Sequence, residues 1–230
     1  MSISAQMWKL IASGTDVPGR KLPMPADATA RLGNLHDAPA FSLMHHLFFP
    51  SATVRRTSIL FAAADARSKA SALCEQLAIA LSKVSGETIG VVEACSAMNR
   101  NPWMKKGMPS NFGRGLWQVY SSRISERVWR IPPALVGNEC RANREPTYDG
   151  LGELRSTFKY FLFSASINES ETPILCNLCE AAVLVLTANV TRRETALRAK
   201  EQLLRQGVTL LGTVLDQRTL PIPESIYRRL

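Results

Sequence analysis

The chain has 230 residues, 46% of them hydrophobic, which is enough for one sizeable α/β domain with a full core. Lys and Arg exceed Asp and Glu by nine, which favours an acidic partner. The basic residues are scattered in pairs rather than interleaved with aromatics, and this pattern disfavours nucleic acid. We recognise no signal peptide and no apolar window of ~18 residues for a membrane span. Five cysteines without a regular framework fit a reducing cytoplasm, so we expect a cytoplasmic protein.

Residues 1–36 are rich in Gly, Pro, Ala and Asp, a composition that predicts a flexible arm before a domain at 37–230. Periodic apolar spacing in the domain predicts helices at HDAPAFSLMHHLFF, SKASALCEQLAIALSKV, YDGLGELRSTF and RRETALRAKEQLLRQ. Short apolar runs predict strands at TSILFAAA, TIGVVEA, RVWRIPPA, KYFLFSA, AAVLVLTA and VTLLGTVLD. Residues 95–125 are predicted to be loop-rich, with two short helix candidates.

The predicted strands are continuously apolar, which is typical of parallel strands buried on both faces. Helices between successive strands indicate right-handed crossover connections. The predicted fold is therefore a single doubly wound α/β domain, with a mostly parallel central sheet flanked by helices. In such a fold the ligand site lies at the C-terminal ends of the strands.

Four strings follow one another along the chain: SKASALCEQLAIALSKVSGETIGVVEA, NRNPWMKKGMPSNFGRGLWQVYSSRIS, VLTANVTRRETALRAKEQLLRQGVTLLGTVLDQ and LPIPESIYRRL. In this order they resemble the cytoplasmic kinase domain of the bacterial tyrosine kinases (BY-kinases) of exopolysaccharide synthesis. That family is a branch of the deviant P-loop ATPases, which also include the Min- and Par-type partitioning ATPases. The resemblance covers residues 39–230 and implies a P-loop NTPase-like fold.

The segment Ala63–Ser71 stands where the family has its phosphate-binding loop, between the first strand and the following helix. Glycines in such a loop let successive backbone N–H groups curl around phosphates. Here Ala66 and Ser68 stand where the resemblance implies the two glycines, and Asp65 stands where it implies a proline. Residues other than glycine disfavour positive φ, so we expect a loop of another shape.

Lys69 keeps the family's lysine, but Ala70 stands where the resemblance implies the hydroxyl that holds Mg²⁺. Ser71 lies next to the missing hydroxyl. The sequence therefore predicts at most a vestigial cofactor site at Lys69 and Ser71. The simpler interpretation of Lys69 is a lysine in the first turn of a helix.

The resemblance also implies an Asp-x-Asp pair after the second strand and a metal-organising Asp at the end of KYFLFSA. In one register Glu93 stands for the first Asp of the pair, and in the other register Ser96 and Met98 fill both positions. Ser164 occupies the third position. A neutral serine cannot replace a carboxylate in Mg²⁺ ligation, and phosphoryl transfer depends on positioned metal and charge. We therefore expect no catalytic residue at Glu93, Ser96 or Ser164, and no metal site.

Weaker candidates have simpler interpretations. Cys176 and Cys179 have the spacing of a redox or metal pair, but zinc needs two further ligands, so packing within a helix is favoured. His45 and His46 are interpreted as a polar turn of a helix rather than a metal or partner site. Three tryptophans are interpreted as core or edge packing rather than a base-stacking platform: Trp103, Trp117 and Trp129.

The leading functional prediction is a catalytically inactive pseudo-tyrosine-kinase that binds no cofactor and acts as a binding or regulatory module. The resemblance implies a partner, an inner-membrane polysaccharide co-polymerase or chain-length regulator whose cytoplasmic ends dock on this fold. An active kinase homologue is a further candidate partner. The basic charge favours peripheral contact with the anionic inner membrane.

Two alternatives stay open. The first is a degenerate but functional ATP-binding autokinase or ATPase that uses Mg²⁺, and the second is a Par- or Min-like positioning factor. The helix PAFSLMHHLFF lacks the Glu and Arg of the family's ring-assembly pattern, so family-type rings are not expected. Tyr227 stands alone near the end of the chain, where active family members carry a tyrosine-rich tail.

Overall fold

The computed structural model describes residues 38–51, 54–65, 68–94, 117–136 and 150–216. The predicted arm at 1–36, the position of Ser96 and the string LPIPESIYRRL lie outside the described residues. Within them a single sheet of seven strands carries helices on both faces. None of the helices in the described ranges has the length and apolarity that a bilayer crossing requires.

Fourteen elements follow one another along the described residues, seven helices and seven strands. The helices are α1 (Ala38–Phe48), α2 (Ala70–Ser85), α3 (Trp117–Tyr120), α4 (Pro133–Val136), α5 (Gly150–Thr157), α6 (Thr172–Leu178) and α7 (Arg193–Arg205). The strands are β1 (Ser58–Ala63), β2 (Ile89–Ala94), β3 (Ser122–Ser125), β4 (Val128–Ile131), β5 (Tyr160–Ser166), β6 (Ala181–Thr187) and β7 (Leu210–Asp216).

The strand order is β3-β4-β2-β5-β1-β6-β7, and every neighbouring pair is parallel except the β3–β4 hairpin. β1 lies between β5 and β6, and β2 lies between β4 and β5. Crossover helices join the parallel strands, as such strands require. The predicted doubly wound α/β fold is confirmed.

Each face of the sheet packs against its own helical layer. One layer is formed by α1 and α2, and buried side chains of α2 such as Leu73 and Leu77 pack on one face of β1. The other layer includes α5, α6 and α7, which contribute Leu154, Leu175 and Leu203. All six residues of β1 are buried, as are the first six residues of β5. Burial of both faces explains why these strands read as continuous apolar runs.

The ends of the elements, and the short elements, agree only in part with the sequence-based expectations. Gly86 ends α2 in the left-handed conformation with φ of 70°, which is typical of a glycine that caps a helix C-terminus. The third predicted strand is shorter than its apolar run, because Pro133 begins α4 two residues after Ile131. The edge strand β3 was not predicted, since it is polar and exposed. The helix α6 was also not predicted, because it has only seven residues and carries Pro at its start.

Candidate functional site

The connection from β1 to α2 lies at the C-terminal edge of the sheet, in the middle of the strand order. Ala63, the last residue of β1, lies opposite Ser166 of β5 and Val185 of β6. The following residue, Ala64, donates its backbone N–H to the carbonyl oxygen of Val185 at 3.0 Å. The candidate loop therefore leaves the sheet where ligand sites of doubly wound folds are found.

Asp65 accepts hydrogen bonds from its own connection and from a neighbouring one. The backbone N–H of Ser68 donates to the backbone carbonyl of Asp65 at 3.3 Å and to its carboxylate Oδ1 at 3.1 Å. The hydroxyl of Thr191 donates to the other carboxylate oxygen, Oδ2. The backbone N–H of Thr187 in turn donates to Thr191 Oγ1 at 2.8 Å. A network of hydrogen bonds thus ties the β1–α2 connection to the β6–α7 connection.

The Asp65 carboxylate lies where the N-terminus of α2 attracts negative charge. Backbone N–H groups at a helix N-terminus attract anions, and the helix dipole adds to that attraction. Asp65 supplies the chain's own anion just before α2, and its Oδ1 accepts the N–H of Ser68. An entering phosphate would compete with this internal carboxylate for the Ser68 N–H and would meet its negative charge.

Lys69 and Ser71, the predicted vestigial cofactor residues, both lie at the start of α2. Lys69 is the residue before the helix, and its carbonyl oxygen accepts the N–H of Leu73 at 3.0 Å. The Lys69 side chain is exposed and makes no cap hydrogen bond, while Ser71 is half-buried. Ala70 is buried, with its methyl group in the core cluster beneath the helix. The structure thus places both residues at the loop.

Glu93 and Ser164 are direct neighbours across β2 and β5, so the structure brings together two of the predicted degenerate positions. Phe61 of β1 lies opposite Ser164 on the other side. Ser164 is 3% exposed, and its hydroxyl makes no hydrogen bond. Glu93, on the neighbouring strand β2, is half-buried. The third position, Ser96, lies outside the described residues.

Cys74 of α2 packs over these strands. Its side chain is fully buried, and its Sγ lies 3.7 Å from the carbonyl oxygen of Phe163. Burial raises the pKa of the Cys74 thiol well above its usual range, and the charge of Glu93 raises this pKa further. The thiol therefore stays neutral at physiological pH, and α2 presents an apolar surface to Ser164 and Glu93.

Two further polar residues end apolar strands on the same edge, and the sequence reasoning missed both. Thr187 at the end of β6 lies opposite Asp216 at the end of β7, and the two residues are 2% and 4% exposed. Sequence reasoning also missed Thr191, the partner of Asp65. Thr187 and Asp216 could have been identified from the sequence, because each is a polar residue at the end of an apolar run that forms a strand. No local sequence feature indicated Thr191.

Two described side chains at this edge lack the ligand groups that the resemblance implies for a Mg²⁺–nucleotide site. Mg²⁺ needs near-octahedral oxygen ligands, usually with carboxylates among them, yet Ser164 and Ala70 stand where the resemblance implies a carboxylate and a hydroxyl. The buried Ser164 hydroxyl offers a neutral oxygen in an otherwise apolar layer. Across the described ranges, no group of three or more His, Cys, Asp or Glu residues is arranged to hold a metal ion.

The cysteine pair lies at the C-terminal end of α6, where it packs against the core. Cys176 is 3% exposed, and Cys179 follows the helix as its cap residue. Burial raises the pKa of both thiols. These positions support the prediction that the pair packs within and beside a helix.

The tryptophans and histidines singled out in the sequence lie in ordinary packing and helix positions where the structure describes them. Trp117 and Trp129 meet edge to face with ring centroids 5.3 Å apart, and Trp117 also meets Phe158 edge to face at 4.8 Å. These contacts make the two rings part of the packing at this side of the sheet. His45 and His46 lie on successive positions of α1, in agreement with the prediction of a helical turn. Trp103 lies outside the described residues.

Comparison with solved structures places this fold among the kinase domains that the sequence resembles. The chimerical protein CapA2B2 superposes with a TM-score of 0.62 at 15% identity, over 81% of this chain and 87% of that chain. The kinase domain of the Escherichia coli tyrosine kinase ETK superposes with a TM-score of 0.55 at 11% identity, over 89% and 86%. The MinC:MinD cell division protein complex of Aquifex aeolicus gives 0.51 at 13%, over 75% and 72%.

In sequence, the chain matches no family model and no curated protein. At these identities the structural likeness establishes the fold. The fold is that of the bacterial tyrosine kinase domains and of the related P-loop ATPases, so the resemblance predicted from the sequence is confirmed at this level.

Proposed function

We propose that the chain is a catalytically inactive relative of the bacterial tyrosine kinase domains, which acts as a binding module in exopolysaccharide synthesis and export. It works in the cytoplasm at the inner membrane and docks on the cytoplasmic ends of a polysaccharide co-polymerase. A nucleotide cycle has no part in this role. The fold serves as a rigid docking surface.

The hydrogen-bond network of Asp65 is the observation that carries this proposal. Its carboxylate accepts the Ser68 N–H and the Thr191 hydroxyl, at the place where an active relative needs free donors for phosphate. A buried hydroxyl at Ser164 stands in place of the metal-organising carboxylate. Phosphate binding and metal binding are thus disfavoured at two separate positions of one edge. Random loss of one residue would not account for both.

The partner half of the proposal is supported by the fold and by charge. Two of the structures that superpose on this chain are the CapA2B2 chimera and a tyrosine kinase domain. The net charge of +9 favours a location beside anionic lipid headgroups. Within the described residues, apolar burial in the two helical layers holds the sheet together and gives a docking surface a rigid support.

Co-purification tests the partner. The tagged chain is expressed in its own cells, the membranes are cross-linked and solubilised in detergent, and captured proteins are identified by mass spectrometry. We expect an integral membrane protein encoded beside polysaccharide glycosyltransferases, retained after a high-salt wash that releases electrostatic adhesion. Capture of only division proteins or DNA would contradict the proposal and favour a positioning factor.

A further inference from the structure

The outward face of α7 carries two exposed leucines. Leu197 and Leu204 are 48% and 52% exposed, although Ala199 and Leu203 of the same helix are buried. The two leucines are seven residues apart, and seven residues make nearly two turns at about 3.6 residues per turn. They therefore lie in one line along the helix, with the spacing of a helix–helix seam.

Charged residues border this line on both sides. At about 100° per residue, Arg193 and Lys200 fall on one side of the leucines, and Glu194 and Glu201 fall on the other side. Each pair repeats at the same interval of seven residues as the leucines. The outer face of α7 is therefore an apolar line between a basic edge and an edge lined by glutamates, and we call it the α7 stripe.

Two arginines, Arg198 and Arg205, lie beyond the glutamates and farther from the leucines. Arg205 Nη2 lies 3.6 Å from Glu201 Oε2, and both side chains are largely exposed, so this ion pair is weak. The glutamate edge is thus mixed in charge, with its acidic groups nearest the leucines.

The inward face holds α7 firmly on the sheet. Ala199 and Leu203 belong to the core cluster, and the side-chain amide of Gln202 donates to the carbonyl oxygen of Ile167 at 2.9 Å. These inward contacts fix the orientation of α7 on the sheet. The helix therefore does not rotate to bury the two leucines of the stripe. Leu197 and Leu204 are thus held half-exposed on a rigid element, where a partner helix can cover them.

We propose that the α7 stripe packs in parallel against the α7 stripe of a second copy of this chain. In a parallel two-fold pair, the basic edge of each helix faces the glutamates of its copy, so Arg193 and Lys200 oppose Glu194 and Glu201. In an antiparallel pair, the two basic edges face each other and repel. The charges beside the leucines therefore favour a second copy in the parallel orientation.

The size of the stripe determines how strong the pairing is. The 13 residues of α7 span about 20 Å at 1.5 Å per residue, which places the contact among small, transient interfaces. We expect free chains to pair with a dissociation constant on the order of 100 μM, and copies held on one membrane assembly to pair far more completely. The self-pairing does not depend on whether the chain binds nucleotide or polysaccharide proteins.

Charge-exchange variants test the self-pairing by sedimentation equilibrium. Glu194→Lys/Glu201→Lys places basic side chains on both sides of the leucines, and Arg193→Glu/Lys200→Glu places acidic side chains next to them on both sides. Each variant alone is expected to self-associate at least tenfold more weakly than the unaltered chain. An equimolar mixture of the two variants is expected to regain association to within a few-fold of the unaltered chain. A mixture that stays as weak as its components contradicts the proposal.

The apolar line has its own variant and control. Leu197→Ser/Leu204→Ser is expected to weaken self-association at least tenfold, whereas Val84→Ser, at an equally exposed site on α2, leaves it unchanged. Circular dichroism checks that each variant is folded. An unaltered chain that stays monomeric at 1 mM overturns the proposal. Loss of binding to phosphatidylglycerol vesicles in the leucine variant, without a change in self-association, also overturns it and assigns the stripe to lipid.

Discussion

At the scale of single residues, the main feature is the carboxylate of Asp65, which accepts a hydrogen bond from the backbone of its own loop. Asp65 stands where the resemblance implies proline, and it accepts hydrogen bonds from Ser68 and Thr191. Hydrogen bonds to an ionised acceptor are stronger than those between neutral groups. Asp65 therefore contributes to the stability of the edge that would otherwise serve a ligand.

A double-mutant cycle measures this contribution. Asp65→Ala and Thr191→Val are each expected to lower the free energy of unfolding by about 1–2 kcal/mol, since each removes a hydrogen bond to a charged group at a half-buried site. Because both substitutions break the same bond, the double variant is expected to lose about 1 kcal/mol less than their sum. Urea denaturation provides the values. Strict additivity would show that the two side chains do not interact.

These residues differ in how far they could be predicted. The absence of glycines at Ala66 and Ser68, and of a carboxylate at Ser164, is visible in the sequence because each position has a known chemical requirement. The link between Asp65 and Thr191 was not predictable, since 126 residues separate them and no local pattern marks a tertiary hydrogen bond. The register that makes Glu93 and Ser164 neighbours likewise depends on strand order.

At the scale of elements, buried strands and long amphipathic helices were predictable, whereas short or polar elements were not. β1 and β5 are buried on both faces and read as apolar runs, and α2 repeats its apolar residues at helical spacing. β3 gave no such signal, because an exposed edge strand has no buried face to impose a pattern. Its position comes from the hairpin with β4.

Gly90 illustrates how packing selects a residue inside a strand. A Cβ at Gly90 would lie 2.6 Å from Ile131 Cδ1 and 3.0 Å from Phe161 Cε1. Alanine is intrinsically better than glycine in a strand by about 0.5–1 kcal/mol, but overpacking a core costs about 1–3 kcal/mol. We therefore expect Gly90→Ala to lower the free energy of unfolding by about 1–2 kcal/mol, measured by urea denaturation.

A second substitution tests whether this clash is the cause. Ile131→Val removes the Cδ1 atom that lies nearest, at a cost of about 0.5–1.5 kcal/mol on its own. In combination with Gly90→Ala its loss is expected to be smaller than additive, because the removed atom makes room for the new methyl group. A fully additive pair would assign the effect of Gly90→Ala to Phe161 or to the strand backbone.

At the scale of the whole molecule, a doubly wound fold with a full core carries side chains at its C-terminal edge that differ from those the resemblance implies. The strand order and both helical layers are those of a doubly wound domain, and the CapA2B2 chimera and the ETK kinase domain superpose on it. Fold stability comes from apolar burial in the layers, whereas ligand binding depends on a few polar residues at strand ends. The two can therefore diverge, and this separation underlies the proposed binding role.

Calorimetric titration with ATP and ADP, with and without Mg²⁺, tests the central claim most directly. The unaltered chain is compared with Lys69→Ala at the loop and with Lys83→Ala, a control at the other end of α2. We predict no saturable binding of either nucleotide up to millimolar concentration in any of the three proteins. Micromolar binding to the unaltered chain and to Lys83→Ala, abolished in Lys69→Ala, would contradict the account and identify a functional nucleotide site.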